Sequence, residues 1–192
     1  MALEKPLKGG LYIVATPIGN LGDMTLRALE TLKGCDVIAC EDTRVSRKLL
    51  SAYSIDKPVM SYHDHNAGQV RPFLLDKMKS GQAVALISDA GTPLISDPGY
   101  KLVRQCYEAD VPVTFLPGAS AVIAGLVLSG MPTDRFLFAG FADKKAYGEL
   151  SPLSMSLIFF ESAQRLGATL KDMAHAFPNR EVAVVREITK LF

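Results

Sequence analysis

A chain of 192 residues, 48% hydrophobic and 21% charged, has the balance of an ordinary soluble globular protein with room for one large domain or two small ones. Its apolar runs, such as 122–128, are too short to span a membrane, and its three cysteines (Cys35, Cys40, Cys106) lack the spacing of a disulfide framework or a zinc site. A net charge of +1 neither requires nor excludes a nucleic-acid partner, because a local patch can serve. Residues 1–10 lack the apolar core of a signal peptide, so the expected compartment is reducing and cytoplasmic.

Five short apolar runs predict strands at 11–15, 37–40, 58–62, 83–87 and 111–115. Helical patterns lie between them. Leu26, Leu29 and Leu32 share a face that ends at Gly34, Leu74, Leu75 and Met78 one that ends at Gly81, and Leu102, Val103, Cys106 and Tyr107 form a third. This alternation predicts an α/β fold with a mainly parallel sheet and helices on both faces. The pattern then changes. A small-residue helix at 120–129 precedes apolar runs at 135–141, 156–161 and 181–186, with one further helix at 163–176. Phe136, Phe138 and Phe141 with Ile158, Phe159 and Phe160 give these runs a sheet-like character. The expected division is an N-terminal α/β domain over 1–117 and a smaller C-terminal α/β domain over 118–192. The chain stops without a closing element, which predicts that the second domain is incomplete and truncated from a longer protein.

The chemistry collects after the strands. Thr16-Pro17-Ile18-Gly19-Asn20 follows the first and Glu41-Asp42-Thr43-Arg44 the second. His63-Asp64-His65-Asn66 follows the third, Ser88-Asp89-Ala90-Gly91-Thr92-Pro93 the fourth, and Pro117-Gly118-Ala119-Ser120 the fifth. In a parallel sheet all five loops share the carboxyl edge, where open α/β sheets bind ligands. Any one such cluster is most often only a turn, but five on one edge point to a site. Glu41-Asp42-Thr43 reads equally as a helix cap and as part of the site. His63-x-His65 has the spacing of a metal pair, yet the third histidine, His175, lies on a later helix and no cysteine is near, so no metal is expected. Phosphate-loop, dinucleotide and nucleophile-elbow signatures are absent. Gly91 and Gly118 are expected to admit backbone amides to a ligand, and Pro93 and Pro117 to stiffen their loops.

These five motifs, running from Ala15 to Asp23 and through Asp97-Pro98-Gly99, together with Gly140-Phe141, Phe160-Glu161-Ser162 and 186–190, resemble the tetrapyrrole-methylase superfamily. The resemblance is to its branch of 16S rRNA (cytidine-2′-O)-methyltransferases. It covers essentially the whole chain. It implies a two-domain fold, a homodimer, S-adenosyl-L-methionine as cofactor, and the 2′-hydroxyl of a cytidine in the decoding region of the 30S subunit as acceptor. By the same resemblance the cofactor falls to Pro17, Ile18, Gly19, Ser88, Asp89, Ala90, Gly91, Thr92, Pro93, Ser120, Ala121, Phe160 and Glu161. The chain departs from the branch at Ala142-Asp143, where Leu-Pro is usual, at Gln164, where His is usual, and in a short 143–156 segment.

Such a transfer rests on positioning, helped by a general base for a weakly acidic hydroxyl. Candidates are Asp42, Glu41 and His65, with Asp89 beside them. Arg44, Arg47, His63 and Asn66 are expected to meet RNA, while Lys48 reads as a solvated helix face. Alternatives are a small-molecule tetrapyrrole methylase, against which the Glu-Asp-Thr-Arg and His-Asp-His-Asn loops argue, and a non-catalytic RNA-binding assembly factor.

Overall fold

The structure is a computed structural model that describes residues 6–190. Contacts divide it into two compact units, one of residues up to Ser120 joined by Thr189 and Lys190, the other Ala121–Ile188.

The first unit is built on five parallel strands: β1 (Gly10–Val14), β2 (Val37–Cys40), β3 (Val59–Ser61), β4 (Ala83–Ile87) and β5 (Val113–Leu116). Their spatial order is β3-β2-β4-β1-β5. Every residue of β2 and β4 is buried, as expected of parallel strands covered on both faces. Successive residues point to opposite faces, and the two cores separate on that alternation. Val14, Ile38, Cys40, Ala85 and Ile87 pack with Ala28, Leu32 and Leu50 from α1 (Leu26–Gly34) and α2 (Thr43–Ala52). Leu11, Ile13, Ala39, Val84 and Leu86 pack with Leu74, Met78, Leu102 and Cys106 from α3 (Ala67–Lys79) and α4 (Tyr100–Glu108). All three cysteines are free and buried.

The predicted fifth strand starts two residues late. The N–H of Val111 bonds the Cys106 carbonyl at 2.8 Å, so this apolar residue closes α4 instead of opening β5.

The second unit holds α5 (Ala121–Ser129), β6 (Phe136–Phe141), the short α6 (Tyr147–Leu150), β7 (Ser156–Phe160) and α7 (Leu166–Ala176). β6 and β7 are parallel, with a bulge between Phe138 and Phe141 where Gly140 takes φ +72°. Phe138 and Phe160 stack edge to face at 4.8 Å, and Tyr147 meets Phe177 at 5.2 Å. The Arg180 guanidinium donates to the carbonyls of Ser151, Leu153 and Met155, holding the turn that feeds β7. The apolar run at 181–186 forms no strand. Val182 and Val184 stay exposed, and Val185 lies against Gly125 of α5, so a sequence pattern suited to a sheet finds no ladder partner among the described residues.

Candidate active site at the carboxyl edge of the sheet

The strand order reverses direction at one place in the sheet. From β1 the chain leaves through α1 on one face to reach β2. From β4 it leaves through α4 on the other face to reach β5. Adjacent β1 and β4 therefore send their connections in opposite directions, and the rule for open α/β sheets puts the ligand crevice between their carboxyl ends. The loops at that crevice are tied together. Thr16 and Gly91 exchange backbone bonds of 2.9 and 3.0 Å, an isolated antiparallel bridge across the two lips. The buried Thr16 hydroxyl also donates to the Ser88 carbonyl at 3.2 Å. Thr92 Oγ1 donates to the Ala119 carbonyl at 3.0 Å, strapping the β4 loop to the β5 loop. The N–H of Asp42 donates to Asp89 Oδ1 at 3.2 Å, joining the β2 loop to the set.

Gly91 has a different role from the one its sequence suggests. Its N–H and carbonyl are both spent on Thr16, so it offers no amide to a ligand. It is glycine because φ is +84° and a Cβ would sit 3.1 Å from an Ile18 methyl. A Cβ on Gly118 would lie 3.0 Å from that of Ala15. Among the described residues, the N–H groups of Ala90, Thr92, Gly118 and Ala119 have no partner and remain available as donors. Pro17 and Pro93 are buried supports, and Gly19, at φ +136°, receives the returning Thr189 and Lys190.

Carboxylates line the same edge. Glu41 is raised above its usual range, first by burial and then by repulsion from Asp97, Asp89 and Asp64. Asp97 is raised by burial and by Asp89. Asp42 is the opposite case. Its side chain caps α2 through the N–H of Arg44 at 2.8 Å and pairs with the Arg44 guanidinium at 2.7 Å, which holds it down at about 2. Asp42 is the cap, and the poorer base of the two. Asp97 was not singled out in the sequence as a site residue. Its sequence signal is its place in the Asp97-Pro98-Gly99 end of the β4 motif, and the backbone before it is unusual, with Leu94 and Ser96 at φ of +74° and +62°.

His63 and His65 stack edge to face at 5.9 Å, and His65 is exposed. His63 Nδ1 is buried with no partner among the described residues. The Asn66 side chain accepts from the His63 N–H at 2.9 Å and donates to the Ser61 carbonyl at 3.0 Å, so it shapes its own loop. Arg44 is exposed but engaged by Asp42, while Arg47 is exposed and unpaired among the described residues. Ser120 ends the first unit. Ala121, Phe160 and Glu161 belong to the second. There the Glu161 carboxylate accepts from Thr169 Oγ1, the Ser162 N–H and Arg165, which together keep its pKa low and anchor the start of α7. That carboxylate is occupied within its own unit. No group of metal-binding side chains occurs among the described residues, nor any helix long and apolar enough to cross a membrane.

The family described as Tetrapyrrole (Corrin/Porphyrin) Methylases matches residues 10–192. Ribosomal RNA small subunit methyltransferase I of Mesorhizobium japonicum is 52% identical over 98% of this chain and 66% of the relative. The protein of the same name from Rickettsia prowazekii is 50% identical over 97% of this chain and 69% of its own length. The chain thus spans about two thirds of the length of these relatives. Among solved structures, uroporphyrin-III-C-methyltransferase from Thermus thermophilus superposes with a TM-score of 0.64 at 20% identity, covering 88% of this chain and 75% of that one. A cobalt precorrin-4 methyltransferase gives 0.66 at 18% identity, over 86% of this chain and 74% of that one. With its parallel sheet, its pinned switch-point crevice and half its residues shared with these relatives, the chain belongs to the tetrapyrrole methylase family, in the group of ribosomal RNA small subunit methyltransferase I.

Proposed function

We propose that the chain carries the methyl-transfer site of an S-adenosyl-L-methionine-dependent enzyme acting on the 2′-hydroxyl of a cytidine in 16S rRNA, in the decoding region of the 30S subunit. A cytoplasmic homodimer is part of the same reading. The observation that carries it is the crevice at the β1/β4 switch point, pinned by the Thr16–Gly91 bridge, in a chain half identical to rRNA methyltransferases.

The site suits the cofactor. Free amides of Ala90, Thr92, Gly118 and Ala119 are donors for its carboxylate and ribose, and the carboxylates of Glu41, Asp89 and Asp97 suit a ligand that carries an ammonium and a sulfonium. The bound cofactor supplies an electrophilic methyl group. The loops orient it, strapped so that little reorganisation is left for the reaction itself. Glu41 is the best base on the edge, because burial and its acidic neighbours make its carboxylate hold a proton more tightly than an exposed glutamate would. It takes the 2′-hydroxyl proton as the ribose oxygen becomes the nucleophile.

Calorimetry with S-adenosyl-L-methionine, followed by tritiated-methyl transfer to unmodified 30S subunits, tests this directly. Uptake of cofactor and label in a 16S cytidine 2′-O-methyl group is expected. Cofactor binding with label entering a corrinoid instead would move the assignment to a small-molecule methylase, and RNA binding without cofactor uptake to an assembly factor.

A further inference from the structure

We infer that the groove between the C-terminal half of α2 and the start of β3 is a docking track for the phosphate backbone of RNA, separate from the methyl-transfer crevice. The inference rests on the rRNA reading above and adds a second contact surface to it.

The groove measures about 720 Å³ and lies at the amino edge of the sheet, with Leu50 and Ile55 as its buried floor. Arg47, Lys57, Ser51 and Ser54 line it together with one carboxylate, Asp56, so its lining carries two cations against one anion. Charge is concentrated here as nowhere suggested by the chain's net +1: residues 43–58 hold four cations (Arg44, Arg47, Lys48, Lys57) against a single carboxylate, Asp56. Arg44 is already paired with Asp42. Arg47, Lys48 and Lys57 form no ion pair with any described residue, so their charge is available to a partner.

A helix C-terminus usually repels anions, because its last carbonyls point outward. At α2 that objection is reduced, because two of the last carbonyls are taken. The N–H groups of Tyr53 and Ile55 bond the Leu50 carbonyl at 3.1 and 2.9 Å, and that of Ser54 bonds the Ser51 carbonyl at 3.0 Å. The chain folds back on itself, with Ser54 at φ +54°, and what it presents to the groove is side-chain donors. Two cations and two hydroxyls, with Asp56 as the one opposing carboxylate, match phosphate oxygens and ribose hydroxyls better than they match an apolar peptide. Geometry links the groove to the crevice. α2 starts at Asp42 on the carboxyl edge and ends at the groove, and its ten residues span about 15 Å. A strand of RNA whose ribose reaches Glu41 can run along the exposed face of α2, past Arg47 and Lys48, and place a later phosphate between Arg47 and Lys57.

The test is the salt dependence of binding to 30S subunits between 50 and 200 mM salt for the wild type and the Arg47→Ala/Lys57→Ala double variant. Losing two phosphate contacts should lower the slope of log K against log salt by about 1.4 to 1.8. S-adenosyl-L-methionine affinity should stay the same. A second variant, Ser51→Glu, adds a carboxylate to the one Asp56 already places in the groove and should weaken binding at least tenfold at low salt. Arg44→Ala, whose guanidinium is already paired, should change the slope less than the double variant does. A folded double variant with the wild-type slope overturns the groove while leaving methyl transfer intact. A wild-type protein with no salt-dependent affinity for 30S subunits or rRNA overturns both this inference and the rRNA reading beneath it.

Discussion

Glu41 and Asp42 are neighbours in sequence and opposites in chemistry, and the contrast shows what a single residue's surroundings decide. Both are acidic, both follow β2, and sequence alone left cap and site open for the pair. The structure separates them by hydrogen bonding: the Asp42 carboxylate is taken by the Arg44 amide and guanidinium, while Glu41 faces burial and like charge. The consequences for pH have opposite signs. Asp42 is lowered in the folded state, so its contribution to stability is present above its unfolded value of 3.8 and is lost as pH falls toward about 2. Glu41 is raised, so the folded protein binds its proton more tightly than the unfolded chain does, and stability falls as pH rises through that interval. Glu41→Gln should therefore leave the fold at neutral pH as stable as the wild type or more so, by urea unfolding, and flatten its dependence on mildly acid pH. The same substitution should cut methyl transfer by about 100-fold or more with cofactor affinity retained. The acid limb of wild-type kcat should lie above 4.5, the ordinary value for the residue. A Glu41→Gln enzyme of near-normal rate would pass the role of base to another group.

At the scale of elements, strands were legible and their couplings were not. Two of the five runs in the first unit, 37–40 and 83–87, form strands with the expected ends, because buried parallel strands write themselves as continuous apolar residues. The loops after the strands were legible as glycine, proline and small polar clusters. Which atoms in them are already spent was not, since that depends on partners 70 or more residues away: the Thr16 hydroxyl bonds Ser88, and the Gly91 amide bonds Thr16. Asn66, expected at RNA, and Glu161, which the resemblance gives to the cofactor, both also bond within their own loops. The segment 181–186 misleads for a related reason, because alternating valines specify a strand only where a ladder edge is there to receive them. The strap between the β4 and β5 loops gives the element-scale prediction. Thr92→Val keeps volume but removes the hydroxyl that bonds Ala119, leaving a half-buried carbonyl without its partner at a cost of about 1–3 kcal/mol. Cofactor affinity by calorimetry should fall with it, and Thr92→Ser should restore both. Gly91→Val should do more damage, because a β-branched residue at φ +84° is strained before any contact with Ile18 is counted. A Thr92→Val protein that binds cofactor like the wild type would show the strap to be ornamental to the crevice.

For the molecule as a whole, the spare charge sets how RNA can be recognised. The net charge is +1, and around α2 Arg47, Lys48 and Lys57 form no ion pair with any described residue. If all three meet phosphates, log K falls with log salt at a slope of about 2 to 3, so binding weakens by only about 20- to 40-fold between 50 and 200 mM salt. A protein that relied on bulk charge would lose far more. Binding that rests on these three contacts needs a fitted surface for its affinity at physiological salt, and a folded ribosomal particle presents shape and backbone geometry that a flexible RNA does not. Fitting matters for chemistry as well as affinity, because a 2′-hydroxyl has to be held in line with the methyl group for positioning to contribute to the rate. The expected outcome is an order of preference in methyl transfer, with intact 30S subunits first, deproteinised 16S rRNA well behind, and a short cytidine hairpin last, all at matched salt. The comparison belongs on a protein of the relatives' full length, since this chain spans about two thirds of it. Equal rates on the three substrates would mean that the enzyme reads local sequence, and that the particle contributes nothing to placing the ribose against Glu41.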